Sequence, residues 1–362
     1  MKADDVDDRL KAVQEMLTAS VEDLFASDDW RAALSAAARF HNYSFDNVLL
    51  IHAQHHAAFV DGRVSAPEPS MVAGFRQWQA MGRQVQGGQH GYRILRPNRV
   101  QWRETKDPGG EWRRMARTER PQPGASLRQR SRLNPNRPFD LATVFDISQT
   151  EGEPIPEPPT PVLLAGRATE GLWSGLTEQV ASRGFVLRDA PSAASLGGAN
   201  GVTSWADVSV TVRADMDDAA RAKTLSHELG HVILHDPRGP DSSIDLDAAM
   251  LVTRGVKEVE AESVAFLIGA AHGMDTSDYS LPYISTWASR DDGISVVRQS
   301  GTRVIATARK ILDALPTQQW GSGQPPGMVE RVEQLRREAP TLHARRDRRP
   351  AGAARTAVGV SR

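Results

Sequence analysis

His227 and His231 lie four residues apart, with Glu228 between them, in the run His227-Glu228-Leu229-Gly230-His231. Residues at i and i+4 share one face of a helix, so both imidazoles can reach a single metal ion. Glu228 falls to the side, where it can take a proton from a water polarised by that ion. This is the HExxH arrangement of zinc hydrolases. The pattern is short, so its setting decides its weight. Leu225, Leu229 and Val232 recur at helical spacing and give the segment 219–234 a buried face. Gly230 sits in mid-helix, at a cost of about 1 kcal/mol relative to alanine. A glycine there makes sense if a second element passes close to the backbone.

A catalytic zinc takes three protein ligands and keeps one position for water. The third ligand is expected from Glu258, Glu260 or Glu262, on a helix over 256–270. Glu258 and Glu262 share a face with Ala261, Ala265 and Gly269, small residues that let one helix approach another. Glu260 projects about 200° away from Glu258 at 100° per residue, beside Val264 and Leu267. Glu258 is therefore expected as the ligand, 27 residues after His231. Glu262 is expected to bond a ligand histidine from behind.

The run TLSHELGHVIL, from Thr224 to Leu234, resembles the metal-binding helix of the ImmA/IrrE-type metallopeptidases, zinc enzymes with a glutamate third ligand. The run EVEAESVAFLIGAAHGMDTSDYSLPYISTW, from Glu258 to Trp287, is similar to the third-ligand region of the peptidase domain in ArdC-like antirestriction proteins. His235 extends the histidine row by one turn, as in those families. It is expected to end the helix or to bond a ligand histidine, because a fourth protein ligand would close the water position. Tyr279 and Tyr283 follow the ligand helix. Either can donate a hydrogen bond to the oxyanion of a tetrahedral intermediate; a packed core tyrosine is the other reading of each.

The chain has 362 residues, 40% hydrophobic and 25% charged, an ordinary balance for a globular protein. Its length suggests two domains. It has no cysteine, which excludes disulfides, thiolate metal sites and a cysteine nucleophile. No apolar run is long enough to span a bilayer. The opening MKADDVDDRLKAVQ is too acidic and polar for a signal peptide, so a cytoplasmic protein is expected.

The formal net charge is −1, but it is unevenly spread. Between Arg93 and Arg137 there are 13 basic residues against Glu104, Asp107, Glu111 and Glu119, a local charge of +9. Tyr92, Trp102 and Trp112 are interleaved with these bases. Basic groups track phosphates, and aromatic faces stack on unpaired bases. This is the composition of a surface for single-stranded DNA. The alternative is a solvated, mobile basic loop over 121–138, which is rich in Pro, Arg and Ser.

Upstream, Leu10, Val13, Leu17, Val21 and Leu24 recur at helical spacing, and Trp30, Leu34, Ala37 and Ala38 continue after the start signal Ser27-Asp28-Asp29. Residues 72–81 read as a helix carrying Trp78, 84–96 as a hairpin, and 140–147 as a strand. Several runs here resemble the ArdC-like single-stranded-DNA-binding domain over about 40–152. They are Tyr43-Ser44-Phe45-Asp46-Asn47 with Leu49-Leu50, Gly74-Phe75 with Trp78, Met81-Gly82-Arg83-Gln84-Val85 with Gly88 and Gly91, Ile94-Leu95-Arg96-Pro97, and Val144-Phe145-Asp146-Ile147-Ser148-Gln149-Thr150. The family often has Lys-Gly-Glu where this chain has Gly87-Gly88-Gln89, and the lost lysine removes one phosphate contact. The resemblance and the basic run together place DNA contacts at Tyr43, Phe45, Asn47, Trp78, Arg83, Tyr92, Arg93, Arg96, Arg99, Trp102 and Arg103.

The expected fold is α+β in two domains. A mixed α/β module binding single-stranded DNA spans 1–150, a Pro/Glu-rich linker 151–161, and a zincin-like metallopeptidase domain 162–340. A basic, disordered tail spans 341–362. Within the second domain, 162–185 reads as a helix, and 198–212 as a hairpin whose edge strand borders the metal site and can pair with an extended peptide. The resemblance implies one zinc per chain on His227, His231 and Glu258, with Glu228 as general base. It also implies single-stranded DNA as a partner, an unidentified protein or peptide substrate, and antirestriction protection of incoming mobile-element DNA. Two other readings remain open: a regulatory protease cleaving a repressor, and a non-catalytic DNA-binding protector with a structural zinc.

Overall fold

The computed structural model describes residues 3–27, 30–107, 109–116, 118–155, 166–238, 254–275, 293–319 and 323–338. Three helices open the chain: α1 (Ala3–Ser27), α2 (Trp30–Arg39) and α3 (Phe45–Val60). Their periodicity is the one expected, and α1 buries Val13, Leu17, Val21 and Leu24. Ser44 caps α3 by accepting the Asn47 backbone N–H, satisfying a donor the helix cannot use itself.

A strand-rich layer follows: β1 (Val72–Gly74), α4 (Phe75–Ala80), β2 (Arg83–Val85), β3 (Tyr92–Pro97), β4 (Arg99–Lys106), β5 (Arg113–Arg114), β6 (Ser126–Leu133), β7 (Phe139–Asp146) and β8 (Thr150–Gly152). The strands form antiparallel sheets in the orders β1-β7-β3, β5-β4-β6 and β2-β8. Three expectations are corrected here. The hairpin over 84–96 does not form, because β7 returns to pair with β3 while β2 pairs with β8. The helix expected from Val72 begins only at Phe75, because Val72 to Gly74 are extended and pair with β7. The basic loop over 121–138 contains an eight-residue strand, β6, zipped along the whole of β4.

The second half contains α5 (Leu172–Ser182), β9 (Val186–Ala190), β10 (Gly201–Ser204), β11 (Ser209–Arg213), α6 (Asp218–Leu234), α7 (Arg254–Ala271), α8 (Gly293–Asp313) and α9 (Met328–Glu338). Helix α5 is shorter than the 162–185 expected. It starts after Gly171, whose φ of 81° is left-handed backbone that cannot continue a helix upstream. The hairpin β10–β11 forms, with β9 parallel to β11 and β10 at the edge. Residues 156–165, including most of the expected linker and the first part of the expected 162–185 helix, and the tail 341–362 lie outside the described residues. No described helix is long and apolar enough to cross a membrane.

One hydrophobic core runs through both halves. The Trp30 indole N–H donates to Ser263 Oγ at 2.8 Å. Arg298 grips Asp46 through two hydrogen bonds of 3.0 and 2.7 Å. Gly301 of α8 lies so close to Phe45 that an added Cβ would sit 2.7 Å from its ring. The first three helices therefore pack directly on α7 and α8, and α7 is also packed against α6.

Several histidines are held in apolar surroundings. His52 lies edge-on to Phe40 at 5.7 Å, and burial pulls its pKa down to about 4 against the opposing charge of Glu68. Burial lowers His41 and His272 as well. A group with a depressed pKa stays neutral in the fold while the unfolded chain takes up its proton. Stability from His52 is therefore present above about pH 6.5 and is lost between there and about pH 4, on the order of 2 kcal/mol by pH 5. Urea unfolding at pH 7 and pH 5 is expected to show this loss in the wild type and a smaller one in His52→Gln. Equal losses in the two proteins would remove His52 as a cause.

Candidate metal centre and basic ribbon

Helix α6 begins at Asp217, whose carboxylate accepts the Ala220 N–H at 2.8 Å. Its Ala222, Leu225, Leu229 and Val232 are buried, which fixes the helix roll and leaves His227 and His231 on the adjoining face. Their Nε2 atoms lie 3.1 Å apart. Helix α7 crosses close by at Gly230, where an added Cβ would meet Ala261 Cα at 3.2 Å. That approach brings Glu258 Oε2 to 3.5 Å from His227 Nε2 and 3.6 Å from His231 Nε2.

Each of these three residues thus offers a ligand atom within 4.8 Å of the others. Bonds of about 2.0–2.2 Å to one ion in tetrahedral geometry would space such atoms about 3.3 Å apart. The two imidazole nitrogens and one carboxylate oxygen match that spacing, and this donor set suits zinc and related divalent metals. The Glu258 side chain is 53% exposed, so the site faces solvent on that side.

Gly230→Val should be costly on this geometry. The valine would press on the α7 backbone, and overpacking of this kind costs roughly 1–3 kcal/mol. Unfolding midpoint and metal affinity should fall together, because Glu258 moves with α7. Unchanged stability would show that the helices are not this close.

The residues behind the ligands are ordered. His227 Nδ1–H donates to Glu262 Oε2 at 3.0 Å, and Lys223 pairs with the other oxygen of Glu262 at 3.0 Å. His231 Nδ1 lies 3.0 Å from His235 Nδ1, and His235 Nε2 lies 3.0 Å from Glu260 Oε2. Burial opposes charge on both ligand histidines. At His227 the hydrogen bonds with Glu258 and Glu262 prevail and raise the pKa to about 9. At His231 burial, followed by the charges of His227 and His235, lowers it to about 4.

Glu228 is 5% exposed and accepts the Thr203 hydroxyl of β10 at 2.6 Å. Burial raises its pKa, with the Thr203 hydrogen bond opposing. Gly201 of the same edge strand has room for no side chain, since an added Cβ would lie 2.8 Å from Glu228 Oε1. Tyr279 and Tyr283 lie outside the described residues.

The expected DNA contacts divide sharply. Phe45, Trp78 and Tyr92 are at most 2% exposed and cannot stack on a base. Trp78 Nε1–H donates to Phe145 O, and the Tyr92 hydroxyl bonds His55. Asn47 is buried and bridges both backbone groups of Leu95 at 2.9 Å each. The Tyr43 hydroxyl donates to Val72 O, and Arg83 clamps the backbone at Thr150 and Glu153. These six hold the fold together.

Arg93, Arg96, Arg99 and Arg103 are exposed, and Trp102 is half-buried. Opposite Trp102 on the β4–β6 ribbon runs a column of arginines from the segment whose alternative reading was a mobile loop. Arg128, Arg130 and Arg132 face Glu104, Trp102 and Val100 in register. Alternate strand residues share a face, so the three arginines project together. Arg128 also lies 4.1 Å above the Trp112 ring and bonds Glu104. A cavity of about 440 Å³ opens beside Trp102, lined by Gln101, Arg103, Arg114 and Gln129 among others. The Arg-x-Arg-x-Arg alternation at 128–132 was the available signal for a strand with one basic face.

Comparison with known proteins adds four findings. The uncharacterized protein pXO2-81 of Bacillus anthracis is 24% identical over 296 residues, covering 77% of this chain and 46% of that protein. The chain thus spans less than half the length of that relative. The metal-free crystal structure of the antirestriction ArdC protein from the R388 plasmid is similar at a TM-score of 0.48 and 17% identity, over 83% of this chain and 97% of that one. Its Mn(II)-bound form matches at 0.45 and 15% identity over the same shares. Residues 7–132, which hold the helical entry and nearly all of the basic ribbon, match the family of the N-terminal domain of anti-restriction factor ArdC.

Proposed function

We propose that this chain is a single-stranded-DNA-binding antirestriction protein that also carries a zinc-dependent peptidase centre. The observation that carries the second half is the meeting of His227 Nε2, His231 Nε2 and Glu258 Oε2 beside the buried carboxylate of Glu228. The family match over 7–132 and the arginine column of β6 support the first half. The Mn(II)-bound form of the R388 protein is in keeping with a metal at the His/Glu cluster.

Zinc held by His227, His231 and Glu258 would supply a Lewis acid that polarises a carbonyl and acidifies water. The remaining work falls to the chain itself. The exposed edge of β10 pairs with the backbone of an extended peptide, which passes Thr203 and so runs beside Glu228. Glu228 takes the proton of the attacking water and returns it to the leaving amine. Burial raises its pKa and so favours taking up a proton, and the Thr203 hydroxyl holds the carboxylate in place.

The test is cleavage of a proteome-derived peptide library by the zinc-loaded protein. Glu228→Gln should keep its metal and lose cleavage by roughly 100- to 10,000-fold. Intact peptides with the wild type, or equal cleavage by both proteins, would contradict the peptidase half and leave a non-catalytic protector.

A further inference from the structure

Glu260 lies on the far side of α7 from Glu258, is 1% exposed and touches no candidate ligand. It is nevertheless tied to one. Its Oε1 accepts the Ser300 hydroxyl at 2.7 Å and the guanidinium of Arg303, both from α8. Its Oε2 lies 3.0 Å from His235 Nε2, and His235 Nδ1 lies 3.0 Å from His231 Nδ1. A row of hydrogen bonds therefore runs from Glu260 through His235 to His231, with Ser300 and Arg303 holding its head.

The direction of that row follows from the chemistry of its first member. An ionised carboxylate only accepts, so His235 Nε2 carries the hydrogen. With one ring hydrogen, on Nε2, His235 has a lone pair on Nδ1 that accepts from His231 Nδ1–H. His231 is left with a bare Nε2, the atom that faces His227 and Glu258. The His235 side chain is 6% exposed, so water does not readily substitute in the row. Glu262 accepts from His227 Nδ1 directly, without an intermediary.

We infer that Glu260, acting through His235, is a positioning residue that fixes the ring tautomer of His231 so that its Nε2 is free to bind the metal. This rests on the metal-centre reading above. The competing explanation is that Glu260 and Arg303 merely join α7 to α8. Glu260→Gln separates the two. With Arg303 claiming the amide oxygen, the amide NH2 turns toward His235, the row reverses, and the hydrogen of His231 moves to Nε2. Arg303→Met removes the helix–helix ion pair, while Glu260 still accepts from Ser300 and His235 and keeps its place at the head of the row.

The experiment uses the full chain. Nitrogen–proton correlation spectra of the metal-free protein report the imidazole tautomers, and Zn²⁺ titration against a competing chelator reports affinity. Wild type and Arg303→Met should both show the His231 Nδ1–H tautomer. Glu260→Gln should shift it and bind zinc about 10- to 100-fold more weakly, the usual effect of losing an outer partner of a ligand. His235→Phe, which keeps the ring volume but offers no acceptor, should weaken zinc to a similar degree and serves if Glu260→Gln does not fold. Equal effects of Glu260→Gln and Arg303→Met, or a wild-type His231 already protonated on Nε2, would overturn the inference. A wild type that takes up no zinc would overturn the metal reading alone, since the tautomers are read without metal.

Discussion

His227→Ala and His231→Ala are each expected to leave the purified protein without zinc, while the wild type carries about one ion per chain. Each histidine supplies one of three converging donors, and the two that remain in either variant cannot hold the ion against solvent. The loss should exceed the 10- to 100-fold that follows from removing an outer hydrogen-bond partner. Glu228→Gln should retain the metal, because Glu228 is engaged with Thr203 rather than with the ion. Glu258→Ala should lose far more zinc than Glu260→Ala, since only the first contributes a donor. Elemental analysis of the purified variants checks all of these. Zinc retained in both histidine variants would mean that the site has been misplaced.

Arg128→Gln, Arg130→Gln and Arg132→Gln together should weaken single-stranded DNA roughly 30- to 100-fold near 0.1 M salt. Each phosphate contact on a single strand adds about 0.7 to the salt slope, and Arg128 is already partly neutralised by Glu104. The slope should accordingly fall by about 1.4 to 2. Trp102→Ala should cost roughly 1–3 kcal/mol of affinity with the slope nearly unchanged, if the ring stacks on a base. Fluorescence anisotropy of a labelled oligonucleotide across a salt series measures both. The wild type should prefer single strands to duplex. A triple variant that binds as the wild type does would remove the ribbon from the DNA-binding surface.

The meeting of His227, His231 and Glu258 was legible because most of its information is local. Helical phase alone puts His227 beside His231, and the same phase argument separates Glu258 from Glu260. Gly230 signalled a close helix crossing, and Ala261 makes that crossing. The partners of Glu260 were not legible, because Ser300 and Arg303 come from a helix forty residues away. Phase told which way Glu260 points but not what waits there.

Among the expected DNA contacts, three aromatics are buried. Aromatic identity does not report burial, and Phe45, Trp78 and Tyr92 serve the core. The arginines of β6 belong to the basic run, and the mobile loop that was its alternative reading overlooked an alternation with the period of a strand. The hairpin over 84–96 failed because a strand fifty residues later, β7, supplies the pairing. Local pattern cannot anticipate that long-range partner.

The most direct test of the metal centre is anomalous diffraction at the zinc edge from crystals of the wild-type protein soaked in zinc. A single strong peak is predicted about 2.0–2.2 Å from His227 Nε2, His231 Nε2 and a Glu258 carboxylate oxygen. No peak there, or one seated on His235 and Glu260 instead, would contradict the account.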